Sequence, residues 1–407
     1  MTALFSDQIM LERAAAVAPP SLRDSTASAS YLELFASGAW STVVEPGDSV
    51  GGLLRQVLGP KRAFDLLAMD TPRRVWLDEL GEFAADVAPV LDAAIARWRP
   101  RVDQVRILRA FDQGVRWGQV LLDPAREEWP DRFHDLGAHA PAALWVRGDA
   151  RKLGASVRSV AVVGARASTG YGEHVTIELV EGLGQRGFAI VSGAAYGIDG
   201  VAHRAALASD TTTVAVLAGG LDRFYPAGHE DLLRRIEHDG VIVSEVPCGQ
   251  APTRWRFLQR NRLIAALASV TVVVEAGARS GSINTAGHAA ALGRPLGAVP
   301  GPISSAASAG CHRLIREYGA ELVRSAGDVA AMIDGENLVQ APLALRSSEE
   351  IRLLDSMSAR TARTLEELAV RSGISPKAVL GCLGLLELQG EVVERGSGWV
   401  RTTQGST

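Results

Sequence analysis

Residues 160–203 contain two short β-branched runs that each end in a glycine-rich turn. The first run, residues 160–163, ends at Gly164, and the second, residues 188–191, ends near Gly193. A helical pattern, with apolar residues at about every fourth position, lies between the two runs. Short apolar runs bounded by glycine are typical of buried parallel strands, and a helix between two of them forms a βαβ unit. The stretch therefore predicts half of a doubly wound, Rossmann-like α/β sheet.

The first glycine turn matches a dinucleotide-binding fingerprint, G-x-G-x-x-G, only in part. The glycine that lets the backbone approach a pyrophosphate would fall where this chain has Arg166. The acid that binds a ribose hydroxyl is also missing, because the second strand ends in Ser192 and Gly193. No nicotinamide, flavin or other cofactor is therefore expected. An arginine at a strand end beside a helix N-terminus suits an anion, and a surface ion pair is the alternative.

Length, charge and cysteine content limit the classes of protein to which the chain can belong. Its 407 residues suggest two or three domains, and its net charge of -4 means that any nucleic acid must bind a local basic patch. Three cysteines without a C-x-x-C pair argue against structural zinc and disulfides and favour a reducing compartment. Neither a signal-peptide pattern nor an apolar run of membrane-spanning length is present. We therefore expect a cytoplasmic protein without a bound metal or a membrane segment.

Composition and periodicity divide the chain into three domains and a linker. Residues 1–145 are predicted to be an all-helical N-terminal domain, and residues 150–332 the Rossmann-like domain. Residues 333–346 lack periodicity and are expected to form a linker. Residues 347–403 predict three helices and a hairpin, which is a winged helix. A glycine between two short helices in residues 51–63 fits a helix-hairpin-helix of a SAM-like domain, although an ordinary helical packing unit is favoured.

Four further β-branched runs continue the predicted sheet. They lie at residues 211–217, 241–243, 270–274 and 295–299. Each is followed by Gly, Ser, Glu or Pro at its carboxyl end. Ligands of open parallel sheets bind in the crevice outside those ends. Polar residues in the following loops are therefore candidate ligand contacts.

The densest basic feature is residues 254–262, which contain four arginines and two aromatic residues. Arginine makes bidentate contacts with phosphate, and aromatic rings stack on unpaired bases. On a helix, Arg260 and Arg262 point in different directions. We expect one of them to face the crevice and the other to pair with an acid such as Glu245 or Glu275. The alternative is a solvated helix face with the aromatic residues anchored in the core.

The second glycine turn, residues 192–199, precedes a helix and can therefore place its amide groups around an anion. Asp199 is either the N-cap of that helix or a functional acid. His203 lies four residues further on the same helical face, where the two side chains can pair. A hydrolase that uses Ser192 as nucleophile is disfavoured, because the turn is not a nucleophile elbow.

A third polar loop, residues 275–286, follows the predicted strand at 270–274. Ser280, Ser282 and Thr285 can donate hydrogen bonds to a phosphate there, and a glycine between the serines lets the backbone come close. The sequence offers no carboxylate pair with metal spacing and no P-loop lysine. A hydrolytic centre is therefore not expected, and the chain is predicted not to be an enzyme.

Eight motifs occur in order within residues 150–332. They are Val162-Val163-Gly164-Ala165-Arg166; Ser168 with Gly172; residues 192–203; Gly219-Gly220-Leu221-Asp222 with Tyr225-Pro226; Ser244-Glu245-Val246-Pro247; Arg260-Asn261-Arg262-Leu263-Ile264-Ala265; Glu275 with Ser280-Gly281-Ser282 and Thr285-Ala286; and Val299-Pro300-Gly301. Together they resemble the DNA-processing protein A (DprA, also called Smf) family. Asn284 and Ala227 depart from the residues that are more usual in the family, which affects the detailed contacts of the pocket rather than the resemblance.

The resemblance implies a Rossmann-like domain that binds single-stranded DNA without sequence preference. It further implies protection of single strands in natural transformation and homologous recombination, loading of the recombinase RecA, and a homodimer formed by the Rossmann-like domains. Carried over by motif, Arg166, Ser168, Gly193 and residues 260–262 would contact phosphates. The full predicted DNA- or phosphate-binding set is Gly164, Arg166, Ser168, Gly172, Ser192, Gly193, Gly197, Asp199, His203, Gly219, Tyr225, Arg256, Arg260, Asn261, Arg262, Glu275, Ser280, Gly281, Ser282 and Thr285.

Two other functions remain open at this point. One is a Rossmann-like phosphoribohydrolase of the lysine-decarboxylase-like type, whose site uses P-G-G-x-G-T-x-x-E. Residues 275–282 replace that motif and lack an acid four residues after the final glycine. The other is a mononucleotide sensor in which the winged helix binds the DNA.

Overall fold

A computed structural model describes residues 4–23, 27–154, 158–335, 347–396 and 398–402. The chain divides into two compact units, residues 1–336 and 337–407. The helices of the first unit are α1 (Asp7–Ala16), α2 (Pro20–Arg23), α3 (Ser28–Val43), α4 (Ser49–Leu58), α5 (Pro60–Ala68), α6 (Arg73–Leu80), α7 (Ala84–Trp98), α8 (Gln104–Arg116), α9 (Arg151–Gly154), α10 (Gly170–Gly184), α11 (Ile198–Ala208), α12 (Glu230–Asp239), α13 (Arg254–Leu267), α14 (Ser282–Ala291), α15 (Ala309–Glu317) and α16 (Ala326–Asp334).

A nine-stranded sheet forms the centre of this unit. Its strands are β1 (Val120–Leu122), β2 (Leu144–Gly148), β3 (Ser159–Val163), β4 (Ala189–Ser192), β5 (Thr213–Leu217), β6 (Val241–Ser244), β7 (Val270–Val273), β8 (Leu296–Ala298) and β9 (Glu321–Leu322). They are arranged in the order β1-β2-β6-β5-β4-β3-β7-β8-β9. Strands β3 to β9 pair in parallel, and β1 and β2 add two antiparallel pairings at one edge.

Strands β3 to β8 form where the sequence predicted them, β9 was not predicted, and the doubly wound α/β fold is confirmed. Every residue of β3, β4, β5, β6 and β7 is buried. Helices cover both faces of such a sheet, so that β-branched side chains are packed above and below it. This two-sided burial explains why the strands appear in the sequence as continuous apolar runs rather than alternating ones.

The N-terminal region is not purely helical as far as residue 145, which corrects the expectation for residues 1–145. β1 lies inside that range, and the boundary falls within β2. With three residues, β1 is too short to show a strand period. The helices also share one hydrophobic core with the sheet, in which Trp145 and Ile242 pack with residues of α3 and α8. Residue 145 therefore does not separate two cores.

The predicted linker and the predicted helix-glycine-helix each overlap helices of the structure. The predicted linker, residues 333–346, begins inside α16, whose Ser325 and Asp328 form a capping box and whose C-cap is Gly335. The remainder of that linker lies outside the described residues. The predicted helix-glycine-helix is formed by α4 and α5, which are joined by Gly59 at a φ of 80°. Such a joint also occurs in purely structural helix pairs, and any contact with DNA there stays a prediction.

The second unit has the predicted winged-helix arrangement. Its helices are α17 (Ser348–Ser356), α18 (Leu365–Ser372) and α19 (Pro376–Leu388), and its hairpin consists of β10 (Val392–Arg395) and β11 (Gly398–Arg401). Ser347 and Thr364 form capping boxes, and Ser375 caps α19 with Pro376 in its first turn. At the predicted hairpin tip, Ser397 lies outside the described residues.

Candidate nucleic-acid interface

The order of the strands places a crevice between the ends of β3 and β7. From β3, the chain adds β4, β5 and β6 on one side and then crosses over to add β7, β8 and β9 on the other. Helices that follow the two halves leave the sheet in opposite directions, which opens a gap at the carboxyl ends of the two central strands. The loops after β3 and β7 therefore form the two walls of one site.

The crevice at this position has a volume of about 690 Å³. The loops after β3, β4 and β7 and one face of α13 line it. Its lining residues are Val163, Gly164, Ala165, Arg166, Ala195, Asp199, Arg254, Phe257, Leu258, Arg260, Asn261, Ile264, Gly277, Arg279, Ser280, Gly281, Ser282 and Thr285.

Three exposed arginines surround the crevice, and we call Arg166, Arg254 and Arg279 the arginine rim. They come from three different elements: the loop after β3, the first residue of α13, and the loop after β7. Among the described residues, none of the three guanidinium groups donates to a carboxylate, whereas many other arginines of this chain do. Three uncompensated positive charges around one concave surface produce a local field that attracts anions. The overall charge of -4 does not prevent this, because the field is local.

An aromatic ring lies between Arg166 of the rim and the buried Arg260. The Phe257 ring centroid is 5.4 Å from the guanidinium carbon of Arg166 and 5.8 Å from that of Arg260. The half-exposed ring of Tyr225 lies 5.6 Å from Phe257, centroid to centroid. Trp255, also half exposed, is two residues before Phe257 in α13. Aromatic rings beside guanidinium groups are the usual means by which proteins hold unpaired bases and their phosphates together.

Arg260 forms the floor of the crevice. Its Nη1 donates hydrogen bonds of 2.6 Å to the carbonyl oxygens of both Gly193 and Val216. Burial lowers the pKa of this guanidinium to about 10, while the nearby charge of Asp199 raises it and that of Arg166 lowers it. A side chain at Gly193 would collide with the guanidinium, because an added Cβ would lie 2.0 Å from Nη1. Arg260 is therefore held rigidly by the sheet and is charged at neutral pH.

The amide groups of the second glycine turn are already occupied by a carboxylate of the protein, and Asp199 is not the N-cap of α11, which is Gly197. Asp199 Oδ2 accepts hydrogen bonds from the backbone N–H groups of Gly193 (3.2 Å) and Ala195 (3.4 Å). Burial raises the pKa of Asp199, although Arg260 and the amide donors oppose that shift. A phosphate at this turn would have to displace a buried acid. The predicted anion cradle of the second glycine turn is therefore filled from within.

A second carboxylate occupies the N-terminus of α10, where Thr169 is the N-cap. Glu275 accepts hydrogen bonds from the Thr169 backbone N–H (2.9 Å) and hydroxyl (2.6 Å). Gly172 makes room for it, since a Cβ there would lie 2.2 Å from a Glu275 carboxylate oxygen. The Ser168 hydroxyl donates to Glu173 at 2.8 Å. Both residues that were expected to contact phosphate here, Ser168 and Glu275, therefore have partners within the protein.

The N-terminus of α14 differs from that of α10. Its N-cap, Gly281, makes no side-chain cap hydrogen bond, and the hydroxyls of Ser280 and Ser282 lie 2.7 Å apart on the crevice wall. Asn261 joins this terminus to α13, because its side-chain amide donates to Asn284 at 3.1 Å. No carboxylate of the described residues accepts a hydrogen bond from this terminus. The backbone N–H groups of Ser282, Ile283 and Asn284 have acceptors within the same turn. With Arg279 beside it, this loop therefore offers hydroxyl and guanidinium donors to an anion.

Two arginines of α13 that were predicted to contact DNA serve the fold instead. Arg262 donates twice to Glu245, both bonds 2.8 Å long, and its side chain is almost fully buried. Arg256 donates to Glu45 (2.9 and 3.0 Å), which precedes α4. Arg262 therefore pairs with one of the two acids considered for it, while Arg260 is the arginine that faces the crevice. These two ion pairs attach α13 to neighbouring elements.

His203 and Ser192 are also internal. His203 is fully buried, and its Nδ1 lies 2.7 Å from the hydroxyl of Thr213. Burial lowers the pKa of His203 to about 3, so the ring is neutral at physiological pH. The Ser192 hydroxyl donates to the Val162 carbonyl at 2.7 Å. Neither side chain reaches the crevice, and no His203–Asp199 hydrogen bond forms.

The predicted set thus separates into two groups. Nine of its members line the crevice: Gly164, Arg166, Asp199, Arg260, Asn261, Ser280, Gly281, Ser282 and Thr285. Eleven do not: Ser168, Gly172, Ser192, Gly193, Gly197, His203, Gly219, Tyr225, Arg256, Arg262 and Glu275. Several of the second group shape the walls. Gly197, with a φ of 75°, brings α11 against the loop after β3, where a Cβ would lie 2.2 Å from the Ala165 carbonyl oxygen.

Sequence reasoning left Arg254, Phe257 and Arg279 out of the predicted set. A helical signal was available for the first two, because positions 254, 257, 258 and 261 follow the i, i+3, i+4, i+7 spacing of one helix face. Because Asn261 was in the predicted set, this spacing would also have indicated Arg254 and Phe257. Arg279 has no such signal, since loop residues follow no period.

The described residues contain no helix long and apolar enough to span a bilayer. Within the same residues, no group of three or more histidine, cysteine or acidic side chains is arranged to hold a metal ion. The three cysteines, Cys248, Cys311 and Cys382, are buried free thiols.

Comparison with known protein families gives consistent matches. The family model described as DNA recombination-mediator protein A matches residues 120–334, and the model described as DprA winged helix domain matches residues 339–398. A Mycobacterium tuberculosis protein described as a DNA processing protein DprA is 49% identical over 302 residues, which cover 70% of this chain and 77% of that protein.

Two solved structures are also similar. DNA processing protein A from Streptococcus pneumoniae is 30% identical, with a TM-score of 0.58 over 72% of this chain and 95% of that one. DNA processing protein A from Helicobacter pylori, whose structure is described in terms of a single-stranded DNA binding mode, is 29% identical, with a TM-score of 0.49 over 54% of this chain and 97% of that one.

Proposed function

This chain belongs to the DNA recombination-mediator protein A family, and we propose that it binds single-stranded DNA without sequence preference in the crevice between β3 and β7. The observation that carries the proposal is the arginine rim. Three exposed guanidinium groups that have no acidic partner among the described residues surround a crevice that also presents Phe257. A polyanion with accessible bases matches that combination of charges and rings.

Carboxylates of the protein occupy the positions where a nucleotide phosphate would bind, which favours a DNA strand over a nucleotide cofactor as the ligand. Rossmann-like enzymes bind the phosphates of a nucleotide at the helix N-terminus after the first strand. Here Glu275 fills the N-terminus of α10, and Asp199 fills the turn that precedes α11. The available donors lie further out, on the arginine side chains and the serine hydroxyls of the loop after β7, where successive phosphates of a DNA strand can reach them. The absence of glycine at position 166 agrees with a DNA ligand. The glycine of a dinucleotide site lets the backbone contact the phosphate, whereas Arg166 can contact a phosphate with its side chain.

Direct binding measurements test this proposal. We expect fluorescence anisotropy at low salt to show that a labelled oligo-dT strand binds at least as tightly as a duplex of the same length. The physical reason is that a duplex hides its bases from Phe257 and Tyr225, while a single strand exposes them. A clear preference for the duplex would contradict the proposal and would place DNA binding on the winged helix.

We also propose that the chain protects single strands, helps to load the RecA recombinase, and forms a homodimer through the Rossmann-like domain. The family assignment supports these roles, and the buried, unpaired cysteines suit the cytoplasm. Nuclease digestion of bound oligo-dT and RecA filament assembly on coated strands are the direct assays. Unprotected strands, or RecA assembly no faster with the protein than without it, would count against these roles.

We further propose that binding is not accompanied by catalysis. Asp199, which lines the crevice, and Glu275, which does not, both accept hydrogen bonds from the protein's own N–H and O–H groups. Neither is therefore placed to act on a sugar. A phosphoribohydrolase would release ribose phosphate from a nucleoside monophosphate. Measurable release by the purified protein, lost in Glu275→Gln, would establish the enzymatic alternative.

A further inference from the structure

The third helix of the winged helix, α19, has an unusual outer face. Winged-helix proteins that read DNA present polar and basic side chains on this helix to the base edges. Here the exposed residues include Leu380 (58% exposed), Leu385 (53%) and Leu388 (87%). Lys377 is the single basic residue of the helix. This composition is that of a protein contact rather than of a base-reading surface.

Two glycines complete the face. At 100° per residue, Leu380, Gly384, Leu388 and Gly381 lie within about 100° of one another around the helix axis. A Cβ added at Gly381 or Gly384 would have no atom within 4 Å. The packing of this fold therefore does not require glycine at either position, although each costs about 1 kcal/mol relative to alanine in a helix interior. Glycine does permit the close approach of another helix.

The charges on α19 indicate what approaches. The helix carries two charged residues, Lys377 in its first turn and Glu387 in its last. Each is at the end where it opposes the helix dipole, so neither is placed to stabilise its own helix. An antiparallel helix with the same sequence would bring the Lys377 side chain of each copy towards Glu387 of the other. The same arrangement would also pair the opposite ends of the two dipoles.

The apolar residues determine where the two-fold axis lies. Leu380 and Leu388 are each four residues from Gly384, on opposite sides of it. A two-fold axis at Gly384 therefore places Leu380 of one copy against Leu388 of the other, with Gly384 of each copy at the centre. About this axis Lys377 lies four residues, or about 6 Å along the helix, from Glu387 of the other copy, an offset that a lysine side chain can span. Such a surface is complementary to itself, as an isologous interface requires.

We propose that this face of α19, consisting of Lys377, Leu380, Gly381, Gly384, Leu385, Glu387 and Leu388, packs antiparallel on the α19 of a second copy of the chain. One helix of 13 residues is about 20 Å long and buries less area than a stable dimer needs. The contact is therefore a weak one that brings two winged helices together when chains are already concentrated, for example side by side on a strand.

Disulfide trapping in the full chain tests the geometry. Gly384→Cys and Gly381→Cys are a matched pair, since both sites are open and the native cysteines are buried. About the proposed axis, the two copies of residue 384 face each other, whereas those of residue 381 are separated by about 9 Å along the axes and are too far apart for a disulfide. Under mild oxidation, we expect Gly384→Cys to form a covalent dimer at least tenfold more efficiently than Gly381→Cys.

Second substitutions identify the contacts. Leu388→Glu should abolish the cross-link of Gly384→Cys. Lys377→Glu should lower its yield about threefold, as expected for the loss of exposed ion pairs, and the double exchange Lys377→Glu with Glu387→Lys should restore it. Circular dichroism controls for folding, which these exposed sites should not affect.

Two results would overturn the proposal. Equal cross-linking of Gly381→Cys and Gly384→Cys would show random collision or a parallel arrangement. Failure of Gly384→Cys to cross-link while duplex DNA protects it from maleimide would show that the face contacts DNA instead.

Discussion

Two sets of arginines near the crevice differ in what they are bound to. Arg256 and Arg262 are buried in α13 and are each paired with a glutamate from another element. The rim arginines, Arg166, Arg254 and Arg279, are exposed and donate to no carboxylate of the described residues. Sequence composition does not distinguish these sets, since both include members of the run at residues 254–262. Their partners do distinguish them: paired arginines hold the fold, and unpaired ones leave their charge available to a ligand.

The largest expected effect concerns the buried set. Arg262→Ala would leave Glu245 charged, buried and without its partner, which should lower the free energy of unfolding by about 3–5 kcal/mol. Urea unfolding followed by tryptophan fluorescence measures this loss. Arg254→Ala, on the same helix, is the matched control and should stay within about 0.5 kcal/mol of the parent chain. Equal unfolding free energies of the two variants would contradict the claim that only the buried, paired arginines stabilise the fold.

The exposed set should show the opposite behaviour. Arg166→Ala removes one charge-assisted phosphate contact, and we expect it to weaken the binding of oligo-dT by about 1–3 kcal/mol. Its unfolding free energy should not change. Arg260→Ala is expected to weaken binding to a similar degree, but also to lower stability, because it removes the hydrogen bonds to Gly193 and Val216. Unchanged affinity of Arg166→Ala for oligo-dT in a low-salt gel shift would show that the crevice is not the DNA-binding site.

The buried region should also respond to pH. The pKa of His203 is about 3 in the folded chain, against an ordinary value of 6.5, so the unfolded state binds the extra proton between these values. The corresponding stability is complete above pH 6.5 and is lost as the pH falls, by about 1.4 kcal/mol per pH unit. Unfolding midpoints of the parent chain and of His203→Gln at pH 7 and 5.5 check this. A parent chain with the same pH dependence as the variant would contradict the assignment.

The smallest expected effect is that of Ser168→Ala. Its hydroxyl donates to Glu173 and not to the crevice, so the affinity for oligo-dT should change by no more than about twofold. Ser280→Ala, on the crevice wall, is the comparison variant and should weaken binding more. A tenfold loss in Ser168→Ala would return that residue to the binding surface.

Much of the fold was predictable from the sequence. The runs that became β3 to β8 are β-branched and bounded by glycine or polar residues, which is the pattern of strands buried on both faces. β1, with three residues, and β9, with two, carry too short a pattern for any period. The shared core of the N-terminal helices and the sheet was not predictable either, because it depends on contacts between residues far apart in the chain, such as Trp145 with Phe111.

The position of the site could be predicted from the sequence, but its side-chain contacts could not. Strand ends located the crevice, and helical spacing showed that Arg260 and Arg262 point apart. The sequence could not show that Asp199 turns onto the amides of its own glycine turn and Glu275 onto the N-terminus of α10, because that choice depends on how the loops pack against each other. The predicted set did not include Arg254 and Arg279. What distinguishes these two arginines is that no acidic side chain of the described residues pairs with them, and such pairing depends on the fold.

The most direct test of the central claim is the salt dependence of single-strand binding in a variant with Arg166, Arg254 and Arg279 all changed to alanine. Each phosphate contact contributes about 0.7 to the slope of log affinity against log salt for a single strand, so the slope should fall by about 2. The control removes three exposed arginines from other surfaces: Arg74, Arg151 and Arg313. We predict a reduced slope for the rim variant and the parental slope for the control. A parental slope in the rim variant, or an equal reduction in both, would contradict the account.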